Sequence, residues 1–359
     1  MAGNKVVALI VADGVHGKGG IARATLYTTR QVAIDAPDIP LLIQASRWDL
    51  PGPLKHVSAL FALTQFGARL LRRRVGAAHI NVAPRGSTFR KMLFAMAASV
   101  GNVPIILHLH GGGYEAFYER LPSFLKRSVA RFFRAADRII ILGDNYVSLL
   151  TSELGVDPDK LTTVENGVAV PDRRADPTHA RPTIAFLGRL VPSKGVDDLI
   201  RALARLAQRG VDFRAVIAGL GEIHRYRMLA EDAGIMERVA FPGWLDEAAV
   251  SRLLADADVF VLPSHVENQP VSILEAMAHG LPVVATCVGA IPEQVVEGQT
   301  GIVVAPGDTA ALADALERLC RNPGLRREMG ERGLERWRNR YSLEATTAKL
   351  IEVYRRYID

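Results

Sequence analysis

The stretch VFVLPSHVENQPVSILEAMAHGLPVVAT, residues 259–286, decides the fold. Val259–Leu262 is an apolar run of strand length, and a loop containing Pro263 and Pro270 follows it. From about Val271 the chain reads as a helix. Gly280 ends that helix, because glycine takes the left-handed conformation a helix C-terminus favours. Val283–Thr286 then restarts a strand. Strand, helix and strand in so short a span is a parallel βαβ unit.

The same rhythm runs outward in both directions. Behind it lie strands at Thr183–Leu187, Arg214–Ala218 and Val239–Phe241, and ahead one at Gly301–Val304. The first half repeats the pattern with Val6–Val11, Leu41–Gln44, Ala78–Asn81, Ile105–His108, Arg138–Leu142 and Leu161–Val164. Between the halves, Pro171 to Pro182 is rich in proline and charge and has no apolar periodicity, which marks a boundary. The reading is α/β: residues 1–170 form one doubly wound domain, residues 171–341 a second, and residues 342–359 a terminal helix.

Composition agrees with that reading. The 359 residues are 49% hydrophobic and 23% charged, the balance of a globular α/β protein rather than a disordered or fibrous one. Two cysteines, Cys287 and Cys320, exclude a disulfide framework or a cysteine-rich metal site and point to a reducing, cytoplasmic setting. The first apolar run meets Asp13 and Gly14, so it reads as a strand and not as a signal peptide. Charge is uneven: residues 1–170 hold 20 Lys and Arg against 12 Asp and Glu, and residues 171–359 hold 24 against 26.

Glycine-rich loops at strand ends are candidate anion sites, since backbone N–H groups and a helix N-terminus favour negative charge. Gly17, Gly19 and Gly20 lie between the first strand and the first helix. Gly188-Arg189 through Lys194-Gly195 follows Thr183–Leu187, and two cations so spaced on a loop suit a pyrophosphate. Gly289, Ala290 and Ile291 offer amides after Val283–Thr286. Glu267 at the helix entrance and Glu275 on the helix can address different parts of one extended ligand, accepting from sugar or ribose hydroxyls. Each feature also has a plainer reading, as solvated surface charge or a loop without a ligand.

Taken in order, Gly188-Arg189-Leu190 with Lys194-Gly195, Glu267 with Glu275-Ala276-Met277-Ala278, Gly280-Leu281-Pro282-Val283-Val284-Ala285 and Gly289-Ala290-Ile291-Pro292-Glu293 resemble the retaining glycosyltransferases of family four. The resemblance implies a GT-B fold: two Rossmann-like doubly wound domains facing a central cleft, with the C-terminal helix crossing back to the first. It further implies transfer of a sugar from a nucleoside-diphosphate donor to a glycan or lipid-linked glycan, with retention and without a cofactor or essential metal. On that basis Arg189, Lys194, Gly19, Gly20, Ala290 and Ile291 hold the donor diphosphate. Glu267, Asn268 and Gln269 meet the donor sugar, and Glu275 the ribose. His110, Glu267, Arg189 and Lys194 form the catalytic set, with His110 taking the position of the family histidine near the donor sugar, and Asn166-Gly167-Val168 matches a segment before the hinge.

Three positions depart from the family pattern. Asn268-Gln269-Pro270 replaces the usual glycine-aromatic-glycine run, Ala169 replaces an aspartate, and Ala290 replaces the second of two glycines. Pro270 offers no backbone N–H to a ligand.

Arg69 to Arg74 and Arg120 to Arg134 mix cations with Leu and Phe at helical spacing, which suggests an enzyme peripheral at the cytoplasmic face of the inner membrane. Their apolar residues can equally face a core. An NAD-dependent oxidoreductase, a nucleotide-sugar epimerase and a phosphorylase are alternatives on similar folds. Nucleic-acid binding finds no motif to support it, despite the basic balance.

Overall fold

The computed structural model describes residues 6–11, 20–48 and 54–358. The chain forms two compact units, one running up to Gly167 and completed by the segment from Leu343, the other spanning Val168–Ser342.

The first unit carries strands β1 (Val6–Val11), β2 (Leu41–Ala45), β3 (Val75–Val82), β4 (Ile105–Leu109), β5 (Arg138–Ile141) and β6 (Leu161–Thr163). Its helices are α1 (Gly20–Asp35), α2 (Leu54–Leu71), α3 (Gly86–Val100), α4 (Tyr114–Glu119), α5 (Ser123–Arg134) and, returning from the far end of the chain, α13 (Leu343–Ile358). The strands pair in parallel in the order β2-β1-β3-β4-β5-β6. Alternate side chains point to opposite faces. Ala8, Ile10, Ala78, Ile80, Leu107 and Ile139 pack toward one apolar layer, and Val7, Ala77, Ile106 and Ile140 toward a second that includes Val32 of α1 and Leu350 and Tyr354 of α13. The C-terminal helix is thus part of this unit's core. Gly167 shows how closely it packs: a Cβ there would lie 2.1 Å from Thr346 Oγ1.

The second unit carries β7 (Thr183–Leu187), β8 (Arg214–Ala218), β9 (Val239–Gly243), β10 (Val259–Leu262), β11 (Val283–Thr286) and β12 (Gly301–Val304). Around them lie α6 (Val196–Gln208), α7 (Ile223–Asp232), α8 (Glu247–Ala255), α9 (Val271–Ala278), α10 (Ile291–Gln294), α11 (Thr309–Arg321) and α12 (Pro323–Arg340). The order β12-β11-β10-β7-β8-β9 is that of a Rossmann sheet, and its direction of winding reverses between β7 and β10. Open α/β sheets bind ligands at that crevice, beyond the carboxyl ends of the strands.

The proline-rich segment read as a boundary is docked on the second unit. Arg326, fully buried on α12, donates to the carbonyls of Pro177 and His179 at 2.7 and 2.8 Å and to those of Leu319 and Cys320. Buried Asp258 accepts from the backbone N–H groups of His179 and Thr183 at 3.0 and 2.8 Å. A segment without periodicity therefore has fixed backbone partners.

Candidate active site

Three loops meet at the carboxyl ends of β7, β10 and β11. The loop after β7 ends in a single 3-10 turn, Pro192–Lys194, and then Gly195. Gly195 has φ +67°, and a Cβ on it would lie 1.8 Å from the Pro263 carbonyl oxygen, so only glycine lets this loop reach the one after β10. The His265 N–H donates to Ser193 O at 2.9 Å, and the His265 ring pairs through Nε2 with Asp198 Oδ2 at 2.7 Å. The third loop closes in the same way: Gly289 has φ +57° and packs against the Glu267 and Asn268 carbonyls, where a Cβ would come within 2.6 Å.

This framework brings Lys194 and Glu267 together. Lys194 Nζ donates to Glu267 Oε1 at 2.5 Å, and Ser264 Oγ donates to the same oxygen at 2.9 Å. Ser264 is itself held, its carbonyl accepting from Thr286 Oγ1 at 2.5 Å. Arg189 is exposed and has no side-chain hydrogen bond or ion pair among the described residues, which leaves its planar fork available to an anion. Glu275 is not the surface acid a helix position suggests. It is 8% exposed, on a helix whose other faces are buried apolar side chains. Asn268 and Gln269, in the loop before that helix, are likewise buried.

The Ala290 and Ile291 amides, read as diphosphate donors, are already engaged: Ala290 N–H donates to Asn268 O at 2.8 Å and Ile291 N–H to Val288 O at 3.1 Å. The first of these bonds holds the β11 loop against the β10 loop, and the second is a turn within the β11 loop. The missing second glycine contributes here, since Ala290 is fully buried and its methyl fills space. Gly20 opens α1, and Gly19 lies outside the described residues together with Gly14 and Gly17.

In the first unit His110 directly follows β4. Its N–H donates to Val82 O at 2.9 Å. The next residue, Gly111, leaves no room for a Cβ, which would lie 2.2 Å from Pro84 Cδ, and its carbonyl accepts from Tyr146 OH at 2.8 Å. The His110 ring lies 3.8 Å from that of His108, centroid to centroid. His108 in turn lies beside His79, whose Nε2 is 3.1 Å from His108 Nδ1, and His79 Nδ1 is 2.6 Å from Tyr354 OH on α13. Burial, then the neighbouring His110 ring, whose protonation would compete with its own, and the Lys91 charge hold His79 down at about 3. Burial and then Lys91 do the same to His110, also to about 3. His108 is lowered in the same sense. Burial pushes the Tyr354 phenol up, so it keeps its proton. His110 is therefore a neutral hydrogen-bonding group.

Lys91, His79, Asn81 and Tyr354 were not singled out in the sequence. Lys91 is fully buried on α3, with Nζ donating to Ile10 O at 2.7 Å. A signal for it existed: Thr88, Lys91, Ala95 and Ala98 recur at helical spacing on one face, so a cation stands in an apolar stripe. No comparable signal marks Tyr354, whose partner is 275 residues away.

Comparison with known proteins places this geometry. Residues 8–167 match the glycosyl transferase 4-like domain and residues 172–336 match glycosyl transferases group 1. The chain is 28% identical over 305 residues to an alpha-D-kanosaminyltransferase of Streptomyces kanamyceticus, covering 79% of this chain and 78% of that one. It is 34% identical over 243 residues to the D-inositol 3-phosphate glycosyltransferase of Corynebacterium glutamicum, covering 61% of this chain and 57% of that relative's length. Among solved structures, sucrose-phosphate synthase from Thermosynechococcus elongatus superposes with a TM-score of 0.77 at 20% identity, covering 98% of both chains. Anabaena HepE, solved with UDP and glucose, gives 0.77 at 16% identity, covering 98% of this chain and 100% of that one. At these identities the two structures establish the shared GT-B fold.

Proposed function

The chain belongs to the glycosyltransferases of family four, and from that membership we propose that it moves a hexosyl group from a nucleoside-diphosphate sugar to a hydroxyl of a glycan or lipid-linked glycan. The observation that carries the reading lies at the winding reversal of the second sheet. There Arg189, without a side-chain partner among the described residues, the Lys194–Glu267 pair and a buried Glu275 stand on the loops and helix that follow β7 and β10. Arg189 and Lys194 take the diphosphate, Glu275 the ribose, and Glu267 the sugar hydroxyls. As the bond from the sugar's anomeric carbon to the diphosphate breaks, charge grows on the leaving oxygens, and positioned cations stabilise it. The acceptor oxygen bonds to that carbon on the same face, with retention, and its proton passes to a diphosphate oxygen. In the first unit His110, neutral at physiological pH, offers a sugar hydroxyl a hydrogen bond rather than a cation. No metal or cofactor is assigned a role, and activity is expected to survive chelation by EDTA.

Thermal stabilisation by UDP, GDP, ADP and their sugar conjugates, with NAD as control, tests the donor. A ligand at 100 times its Kd adds about 2.7 kcal/mol to stability. A shift with one nucleotide, lost in Arg189→Ala and Glu275→Ala, supports the reading, whereas a shift with NAD alone refutes it. The anomeric coupling constant of the product tests retention.

A membrane-associated acceptor is supported by α2 rather than by α5. On α5, Val129, Phe132 and Phe133 are buried in the core. On α2, Leu54, Val57, Leu60, Phe61 and Leu71 are exposed, Leu60 and Phe61 at 64% and 57%, and the exposed cations Arg72, Arg73 and Arg74 follow directly. An apolar face beside a basic run suits an anionic bilayer surface. No helix among the described residues is long and apolar enough to cross a membrane.

A further inference from the structure

A cavity of about 30 Å³ in the first unit is lined by apolar side chains, Leu9 and Leu350 among them, together with Thr25, Asn81, His108 and Tyr354. That is room for a single water molecule or hydroxyl group. Two of its lining residues end in buried polar atoms with no hydrogen-bond partner among the described residues, Asn81 Oδ1 and His108 Nε2. Their residues are 7% and 8% exposed and stand directly opposite each other on neighbouring strands β3 and β4. The Asn81 amide is oriented by its other end, Nδ2 donating to Thr25 Oγ1 at 3.3 Å.

The proton on His108 follows from the chain of hydrogen bonds behind it. Tyr354 OH has no hydrogen-bond partner other than His79 Nδ1 among the described residues. Were His79 to carry its proton on Nδ1, the tyrosine hydrogen would be a buried donor without an acceptor, a rare and costly state. Tyr354 therefore donates to His79 Nδ1, His79 donates through Nε2–H to His108 Nδ1, and His108 carries its own proton on Nε2. The cavity then presents one donor, His108 Nε2–H, and one acceptor, Asn81 Oδ1. A group that accepts from the first and donates to the second satisfies both, and a hydroxyl does each.

We propose that His108 and Asn81 form a hydroxyl-binding site, oriented by Tyr354 through His79, that takes one hydroxyl of a sugar or polyol, or a water molecule. It stands beside His110, whose ring lies tilted against that of His108 at 3.8 Å, and it does not depend on the donor reading of the second unit. His79 and Tyr354 are positioning residues, since they act only through His108.

The test uses the full chain, labelled with ¹⁵N, and long-range correlation of the histidine ring protons and nitrogens. In the unsubstituted protein His79 and His108 are both expected as Nε2–H tautomers. Finding the proton of either ring on Nδ1 overturns the proposal. Tyr354→Phe is expected to mix the His79 tautomers while the backbone spectrum stays folded. Titration with myo-inositol and with glycerol then separates the sources. A saturable shift of the His108 Nε2–H resonance, absent in Asn81→Val and in Asn81→Leu, assigns the site to a polyol hydroxyl. No such shift, with a cross-relaxation signal between His108 Nε2–H and water, assigns it to water. Neither signal overturns the site. Failure of nucleotides to stabilise the protein would leave all these readouts intact, so the two readings fail separately.

Discussion

Acidification should unfold this protein through its first unit, because His79 and His110 stay neutral in the fold. Both have folded pKa values held at about 3 by burial and neighbouring charge, against an ordinary 6.5. Between those limits the unfolded chain binds protons that the folded chain refuses, so stability rises with pH and falls as pH drops below 6.5. Each residue costs about 1 kcal/mol between pH 6.5 and 5.5 and about 1.4 kcal/mol for each unit below that. The pair therefore removes about 2 kcal/mol in the first unit and about 2.7 kcal/mol in the next, a large share of the 5–15 kcal/mol typical of a folded domain. His108 shifts in the same sense and adds to the loss. Urea unfolding followed at pH 7.5, 6.5, 5.5 and 4.5 measures the slope, and His110→Asn removes that residue's share and relieves part of the lowering at His79. The variant should lose less stability than the unsubstituted protein by about 1.4 kcal/mol per unit at the acid end. Parallel slopes, or an imidazole resonance of His79 or His110 titrating near 6.5, would refute the reasoning.

Three further outcomes are expected. Gly195→Ala should cost about 2 kcal/mol or more, since a left-handed backbone and a Cβ aimed at a carbonyl both oppose it, and it should abolish nucleotide stabilisation in a melting assay. Arg326→Met should destabilise by about 3–5 kcal/mol in urea, because it leaves buried Asp258 without its cation and takes the guanidinium donors from the carbonyls of Pro177, His179 and Cys320; a change under 1 kcal/mol would contradict that. Replacing Leu60 and Phe61 with Glu should remove binding to anionic vesicles in flotation while nucleotide stabilisation persists, and binding that survives would dismiss α2 as the membrane face.

Much of the fold is legible in the chain because strand formation is local. Apolar runs of four to eight residues bounded by glycine and proline mark the strands, and the expected segments at 183–187, 214–218, 259–262, 283–286 and 301–304 coincide with β7, β8, β10, β11 and β12. Only β3 differs materially, starting at Val75 rather than Ala78, because Val75 pairs with Val6 across an irregularity that no local pattern announces. The candidate site was legible where it depends on residue type at a strand end, as with Arg189, Lys194 and Glu267. It was not legible where an amide is claimed by a distant carbonyl, as the Ala290 N–H is by Asn268 O.

By itself, then, the sequence determined two α/β halves, the loops that carry charge and the glycines that allow close approach, since each follows from periodicity and side-chain chemistry within a few residues. Only the tertiary structure decided that winding reverses at β7 and β10, that Lys194 meets Glu267, that Glu275 is buried, and that Tyr354 on the last helix sets the tautomer of histidines on β3 and β4. Those outcomes depend on which strands become neighbours, and that is fixed by burial summed over whole sheets rather than by any local stretch of chain.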